Sequence, residues 1–137
     1  MHAKIIPILA NETVQVASVS TTTAGGPGIN IGGPVTFAPF FTDGLAVYVL
    51  VVRVAGTVTG TTPTLLFVVQ QSNDLVTWTG VGAALANITA AGIQVTPYGT
   101  GTTQGAITQT WWRVVATPGG TAGFFPGVFA DMYAQAV

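Results

Sequence analysis

Apolar residues in this chain come in short runs of β-branched and aromatic side chains. Clusters of Gly, Pro, Thr and Asn interrupt them at intervals of roughly ten residues. No helical period persists, so the pattern predicts strands, and their spacing predicts an all-β sandwich or barrel. The expected strands are Ile5–Leu9, Thr13–Ser20, Val35–Phe41, Leu45–Ala55, Thr64–Gln71, Val76–Val81, Ile93–Pro97, Ile107–Ala116 and Phe124–Tyr133. Between the second and third lie Gly25-Gly26-Pro27-Gly28 and Gly32-Gly33-Pro34, residues that make a flexible link. The expected organisation is an N-terminal arm and link over residues 1–34, followed by an antiparallel β-sandwich, Ig-like or jelly-roll-like, over residues 35–137. The first ten residues carry one Lys and an apolar stretch broken by Pro7, which suits an arm or edge strand better than a signal peptide.

Several of these strands are apolar on both faces. Along Leu45–Val52 one face takes Leu45, Val47, Val49 and Val51, and the other takes Ala46, Tyr48, Leu50 and Val52. A strand with one wet face alternates apolar and polar residues instead. Phe124, Phe125, Val128 and Phe129 repeat the pattern, and the adjacent Trp111 and Trp112 must point to opposite faces. Burying each large side chain is worth about 1.5–3 kcal/mol, so a second apolar face calls for a cover, either the arm or neighbouring subunits.

The chain also carries a degenerate internal repeat. At an offset of 60 residues, Arg53, Val54, Thr57, Gly60, Thr61 and Val68 recur as Arg113, Val114, Thr117, Gly120, Thr121 and Val128. Each copy reads strand, Gly/Thr-rich turn, strand, which predicts two similar hairpins.

Composition sharpens the picture. Among 137 residues there are three Lys or Arg and four Asp or Glu, 5% charged against 49% hydrophobic. A quarter charged is usual. Such a surface has little repulsion to hold copies apart, which fits a subunit that lives packed against others. The net charge of −1 and the scattered cations Lys4, Arg53 and Arg113 argue against nucleic acid as a partner. The longest apolar run, Leu45–Val52, is too short to span a membrane as a helix. With no cysteine there is no disulfide, thiolate metal site or cysteine nucleophile.

The residues offer little for catalysis. His2 is the single histidine and sits at the terminus, where a Ser-His-Asp relay cannot be held rigidly. The carboxylates are Glu12, Asp43, Asp74 and Asp131, and they form no cluster of the kind calcium requires. Asp43 precedes Gly44, and Asp74 ends a Ser-Asn-Asp stretch, so both read as turn residues bonded to their own backbone. The glycines at 25–28 and 99–101 lack the Lys and following helix of a phosphate loop. Arg53 and Arg113 end matching strands of the repeat. Their stems are expected to pack on the sheet with the guanidinium at its rim, or to reach Asp43 or Asp131 of a neighbour. No enzyme activity and no cofactor are expected.

From Val52 to Tyr133 the chain resembles a β-sandwich family common among tailed-phage structural proteins. The matching residues are Val54-Ala55-Gly56-Thr57-Val58-Thr59-Gly60-Thr61-Thr62-Pro63-Thr64-Leu65, then Val68-Val69-Gln70-Gln71-Ser72-Asn73-Asp74 and Thr77-Trp78-Thr79-Gly80-Val81. Ile88-Thr89-Ala90-Ala91-Gly92 and Trp112-Arg113-Val114-Val115-Ala116 complete them. Leu75 departs from the pattern, standing where such turns usually have Gly. The resemblance implies a virion protein that decorates or cements the head at the capsid surface. It implies the major capsid protein or copies of itself as partners, with the arm reaching a neighbour.

The function expected is therefore a non-enzymatic, homo-oligomeric structural subunit. Its candidate interface residues are Tyr48, Leu50, Arg53, Trp111, Trp112, Arg113, Phe124, Phe125 and Phe129. Three other readings are distinguishable. A tail, baseplate or fibre component has the same composition. A carbohydrate-binding module needs Trp78, Trp111 or Trp112 as an exposed coplanar stacking platform with polar groups at its rim. A small barrel for an apolar ligand needs an interior cavity.

Overall fold

A computed structural model describes residues 3–16, 28–31, 35–42 and 47–135. His2, most of the Gly/Pro-rich link, the Asp43–Gly44 turn and the Leu45-Ala46 start of an expected strand lie outside the described residues. The elements are β1 (Ala3–Val16), β2 (Gly28–Ile31), β3 (Val35–Thr36), β4 (Phe40–Phe41), β5 (Val47–Val54), β6 (Thr59–Ser72), β7 (Thr79–Gly80), β8 (Gly92–Tyr98) and β9 (Trp111–Gln135). The chain is all-β, and the nine strands belong to one continuous sheet.

The long β9 is its spine. Along one edge β5 pairs with the C-terminal half of β9, from Val47↔Gln135 to Val54↔Val128, and β6 continues along the N-terminal half to Ser72↔Trp111. Along the other edge run β1, from Ala3↔Gln135 to Gln15↔Phe124, and then β3 and β4, ending at Phe41↔Trp111. These ladders are antiparallel; β2 joins β1 in parallel, and β8 and β7 extend the sheet outside β5 and β6. The sheet curls so that its two halves face each other. Tyr48, level with one end of β9, meets Trp112 at the other, their rings 5.8 Å apart and edge to face. Residues 3–16 of the expected arm lie within the chain's own sheet, because Leu9 and Val14 are buried in its core.

The curl sits where the repeat predicted hairpins. Neither copy is a hairpin: residues 113–129 run inside β9, and residues 53–69 pass from β5 into β6 alongside it. The two copies pair with each other, and Thr61 opposes Thr121, its own counterpart in the repeat. A local two-fold axis therefore passes between them. The backbone obeys it: Gly60 and Thr62 have φ of 118° and 48°, and Gly120 and Ala122 have φ of 85° and 56°. Each bend needs a glycine for two reasons, its left-handed φ and the strand beside it. A Cβ on Gly60 would lie 2.6 Å from the Ala122 carbonyl oxygen, and one on Gly120 would strike the Thr62 carbonyl oxygen in the same way. Repeated Gly and Thr made these segments look like turns that reverse the chain. They bend two paired strands together instead.

The core lies between the halves. From β6 and β9 come Leu65, Phe67, Val69, Trp112, Val114 and Ala116; from β5 and the end of β9 come Tyr48, Leu50, Val52, Val54, Val128, Ala130 and Met132. Phe40 stacks on Trp112 with centroids 4.8 Å apart, closing one end. The turn after β6 is built as its sequence suggests. Asp74 Oδ1 accepts hydrogen bonds from the Val76 and Thr77 amides at 2.9 and 2.8 Å and from the Ser72 hydroxyl at 2.9 Å. These bonds hold its carboxyl below the ordinary value of 3.8. Leu75 takes φ 63° there, a left-handed position that favours Gly.

Candidate interaction surface

The chain presents an apolar outer face on the half of the sheet formed by β1, β9, β5 and β8. Residues directly opposite on antiparallel strands share a face, so the register defines the surface row by row. One row is Ile5, Tyr133, Val49, Pro97; the next is Pro7, Asp131, Val51, Val95; in the third, Phe129, Arg53 and Ile93 stand side by side. Ile5, Ile93, Val95 and Tyr133 are exposed by 60%, 67%, 59% and 42%.

Strand β8 makes this face unusual. Ile93-Gln94-Val95-Thr96-Pro97 alternates cleanly, and a half-buried strand normally turns its apolar residues inward. Here the reverse holds: Thr96 is buried and Gln94 half-buried, and Ile93 and Val95 face out. The inversion follows from the ladder. Tyr98 is buried opposite Tyr48, and the register from Tyr48↔Tyr98 to Val54↔Gly92 fixes every other side chain of β8. Gln94 is accommodated by donating from Nε2 to the Ala86 carbonyl at 2.8 Å.

Among the described residues, the charges on this face are Arg53 and Asp131, on neighbouring strands one row apart. The Arg53 guanidinium lies over the Phe129 ring, 4.3 Å from its centroid, which leaves its charge at the surface. Val51, Arg53, Ile93, Phe129, Asp131 and Tyr133 line a shallow depression of about 320 Å³.

The candidate interface residues divide by face. Arg53 and Phe129 come together on the apolar face. Tyr48, Leu50, Trp112 and Phe125 are no more than 1% exposed and belong to the chain's own core, so they cannot contact a neighbour. They are the inward half of strands apolar on both sides, and periodicity alone did not say which half faced in. Trp111 and Arg113 lie on the outer face of the other half-sheet. Trp111 meets Phe41 edge to face at 5.3 Å, and Arg113 lies 4.1 Å over the Trp78 ring while donating from Nε to Gln70 Oε1 at 2.8 Å. Partial desolvation lowers the Arg113 pKa. Phe124 is half-buried at the bend, opposite Gln15 and Thr59.

Trp111 and Trp112 do point to opposite faces. Trp112 is buried, Trp111 is packed against Phe41, and Trp78 is covered by Arg113, so no pair of these indoles forms an open coplanar platform. Ile5, Ile93, Val95 and Tyr133 were not among the sequence candidates, whereas Asp131 was named there as a partner for an arginine of a neighbour. Only the strand order brings them onto one surface. Among the described residues, no three of His, Asp and Glu stand close enough to hold a metal ion.

No protein-family model and no characterised protein matches the sequence. Its fold does match solved structures. One is the structure of the infectious bursal disease virus Gx strain, with TM-score 0.50 and 14% identity, over 98% of this chain and 32% of that one. Another is the VP2 protein of infectious bursal disease virus in T=1 particles, with TM-score 0.49 and 16% identity, over 97% of this chain and 31% of that one. The chain thus spans about a third of the length of the proteins it matches. At this identity the likeness is one of fold.

Proposed function

We propose that the chain is a non-enzymatic structural subunit of a virus particle, held in place by burial of the β1-β9-β5-β8 face against other subunits. The observation that carries this reading is the inverted strand β8, which turns Ile93 and Val95 outward and Thr96 inward. Four strands at about 4.8 Å and seven residues at about 3.3 Å give a face of roughly 400 Å². That matches the largest apolar patches of ordinary monomers, which are often functional. Burying it is worth on the order of 10 kcal/mol before association costs are subtracted. The β-fold shared with a structure of infectious bursal disease virus supports a capsid setting. The resemblance of residues 52–133 to tailed-phage structural proteins supports the narrower role of head decoration or cement. The N-terminal stretch enters through β1, whose Ile5 and Pro7 widen the face.

The test is a pair of surface substitutions, Ile93→Asp and Val95→Glu, assayed by co-sedimentation with capsids lacking the protein. Both side chains are exposed, so unfolding stability should stay within about 0.5 kcal/mol of wild type, while capsid binding is lost. Wild-type binding that survives both substitutions would refute the assignment of this face.

A further inference from the structure

We infer that the partner buried on this face is a second copy of the same chain, in an isologous two-fold contact that sets Arg53 of each copy against Asp131 of the other; the inference rests on the face being an assembly surface. The face carries one positive and one negative charge, at opposite corners of the block Phe129, Arg53, Val51 and Asp131. A two-fold axis relating two facing sheets lies in the plane of contact. If it bisects the line from Arg53 to Asp131 at a right angle, it runs close to the other diagonal, between Phe129 and Val51, and on toward Val95. Residues beside the axis meet their own counterparts, and these are apolar. Residues off the axis exchange, and the two charges then meet their opposites. One operation satisfies both charges and leaves apolar surface on apolar surface, the self-complementarity an isologous interface demands.

Other orientations are worse. Sliding one copy by a row leaves Asp131 against Val51 or Ile93, a carboxylate desolvated without a partner. A foreign partner would have to supply the same alternation of charges on an apolar ground, which this chain already provides. The axis also sets the strands of the two copies steeply across each other, in the orthogonal manner of sheet packing. Two faces of this size bury roughly 800 Å², below the roughly 1,200–2,000 Å² of stable complexes. The dimer is therefore weak in free solution and strengthened where an assembly raises the local concentration.

The test uses three forms of the full chain: wild type, Arg53→Asp and Asp131→Arg, each followed by sedimentation velocity over a wide concentration range. Wild type should show a concentration-dependent monomer–dimer equilibrium. Each single variant brings like charges together and should weaken it by about tenfold or more. An equimolar mixture of the two variants should recover dimer, because one copy is then wholly negative on this face and the other wholly positive. A second readout uses the absence of cysteine in the chain: Val51→Cys, beside the axis, should be joined to its own counterpart by a short bis-maleimide, which spans the roughly 10 Å between facing sheets that a direct disulfide cannot. Single variants that associate like wild type, or a mixture that stays monomeric, would overturn the inference. If wild type is monomeric at all concentrations but binds capsids through Ile93 and Val95, the dimer falls and the structural role stands. If it does neither, both fall.

Discussion

Gly120 and Gly101 offer a controlled test of how the sheet is bent. Their φ values are nearly the same, 85° and 87°, but their surroundings differ completely. A Cβ at Gly101 meets nothing within 4 Å, whereas one at Gly120 runs into the carbonyl oxygens of Thr61 and Thr62 on β6. Gly101→Ala therefore measures the left-handed backbone alone, about 1–2 kcal/mol, less the ~0.4–1 kcal/mol gained by restricting the unfolded chain. Gly120→Ala carries the same two contributions and must also push β6 away from β9 at the bend. The overlap with those carbonyl oxygens adds about 1–3 kcal/mol of strain at the bend. Gly101→Ala should thus cost no more than about 1.5 kcal/mol, and Gly120→Ala about 1–4.5 kcal/mol in total. At this chain length the latter lowers Tm by roughly 3–15 °C. Urea unfolding followed by tryptophan fluorescence and far-UV circular dichroism gives both numbers on one footing. Equal stabilities for the two variants would show that the strands at the bend are not in close contact. Gly60→Ala should behave like Gly120→Ala, since the two sites are mates across the local two-fold axis.

Further substitutions probe the core and the turn. The Trp112 Nε1 is buried without a hydrogen-bond partner among the described residues. Trp112→Phe, which keeps the stacking on Phe40, should therefore cost only about 1–2 kcal/mol, against about 3–5 kcal/mol for Trp112→Ala by chemical denaturation. Burial pushes the Tyr98 hydroxyl from its ordinary value of 10.0 up to about 12. Its neutral form is favoured in the folded state, so its contribution is fully present below pH 10.0 and is lost as pH rises toward about 12. Wild type should lose on the order of 2–3 kcal/mol across that window relative to Tyr98→Phe, and a flat difference in melting measurements would contradict this. The Asp74 carboxyl is held low by its turn hydrogen bonds, so its contribution is present above the ordinary value of 3.8 and disappears as pH falls below it. The stability gap between wild type and Asp74→Ala should accordingly narrow on acidification, and a gap that widens would rule out the carboxylate as the turn's anchor.

The class of the fold and the character of its surface follow from the order of residues alone. β-Branched runs between Gly, Pro and Thr clusters can only be strands, and a chain with so few charges must hide apolar surface against something. The Ser72–Thr77 turn was legible because Asp74 bonds locally, within its own few residues. The repeat was legible too, and its shared left-handed positions at 60 and 120, and at 62 and 122, bear it out. Its meaning was not. A Gly/Thr segment reverses a lone strand but bends a paired one, and whether a partner lies alongside is decided far away in the chain. The same holds for the surface. Tyr48 and Val49 are equally apolar neighbours, and pairing with β8 and β9 sent one into the core and the other outward. In β8 the tertiary register overruled the pattern, because Tyr98 claimed a place opposite Tyr48 and carried Ile93 and Val95 out with it. Ile5, Val95 and Asp131 lie far apart in sequence and share a face only through the strand order. Side-chain periodicity has two phases in a strand, and only the ladder to its neighbours selects one.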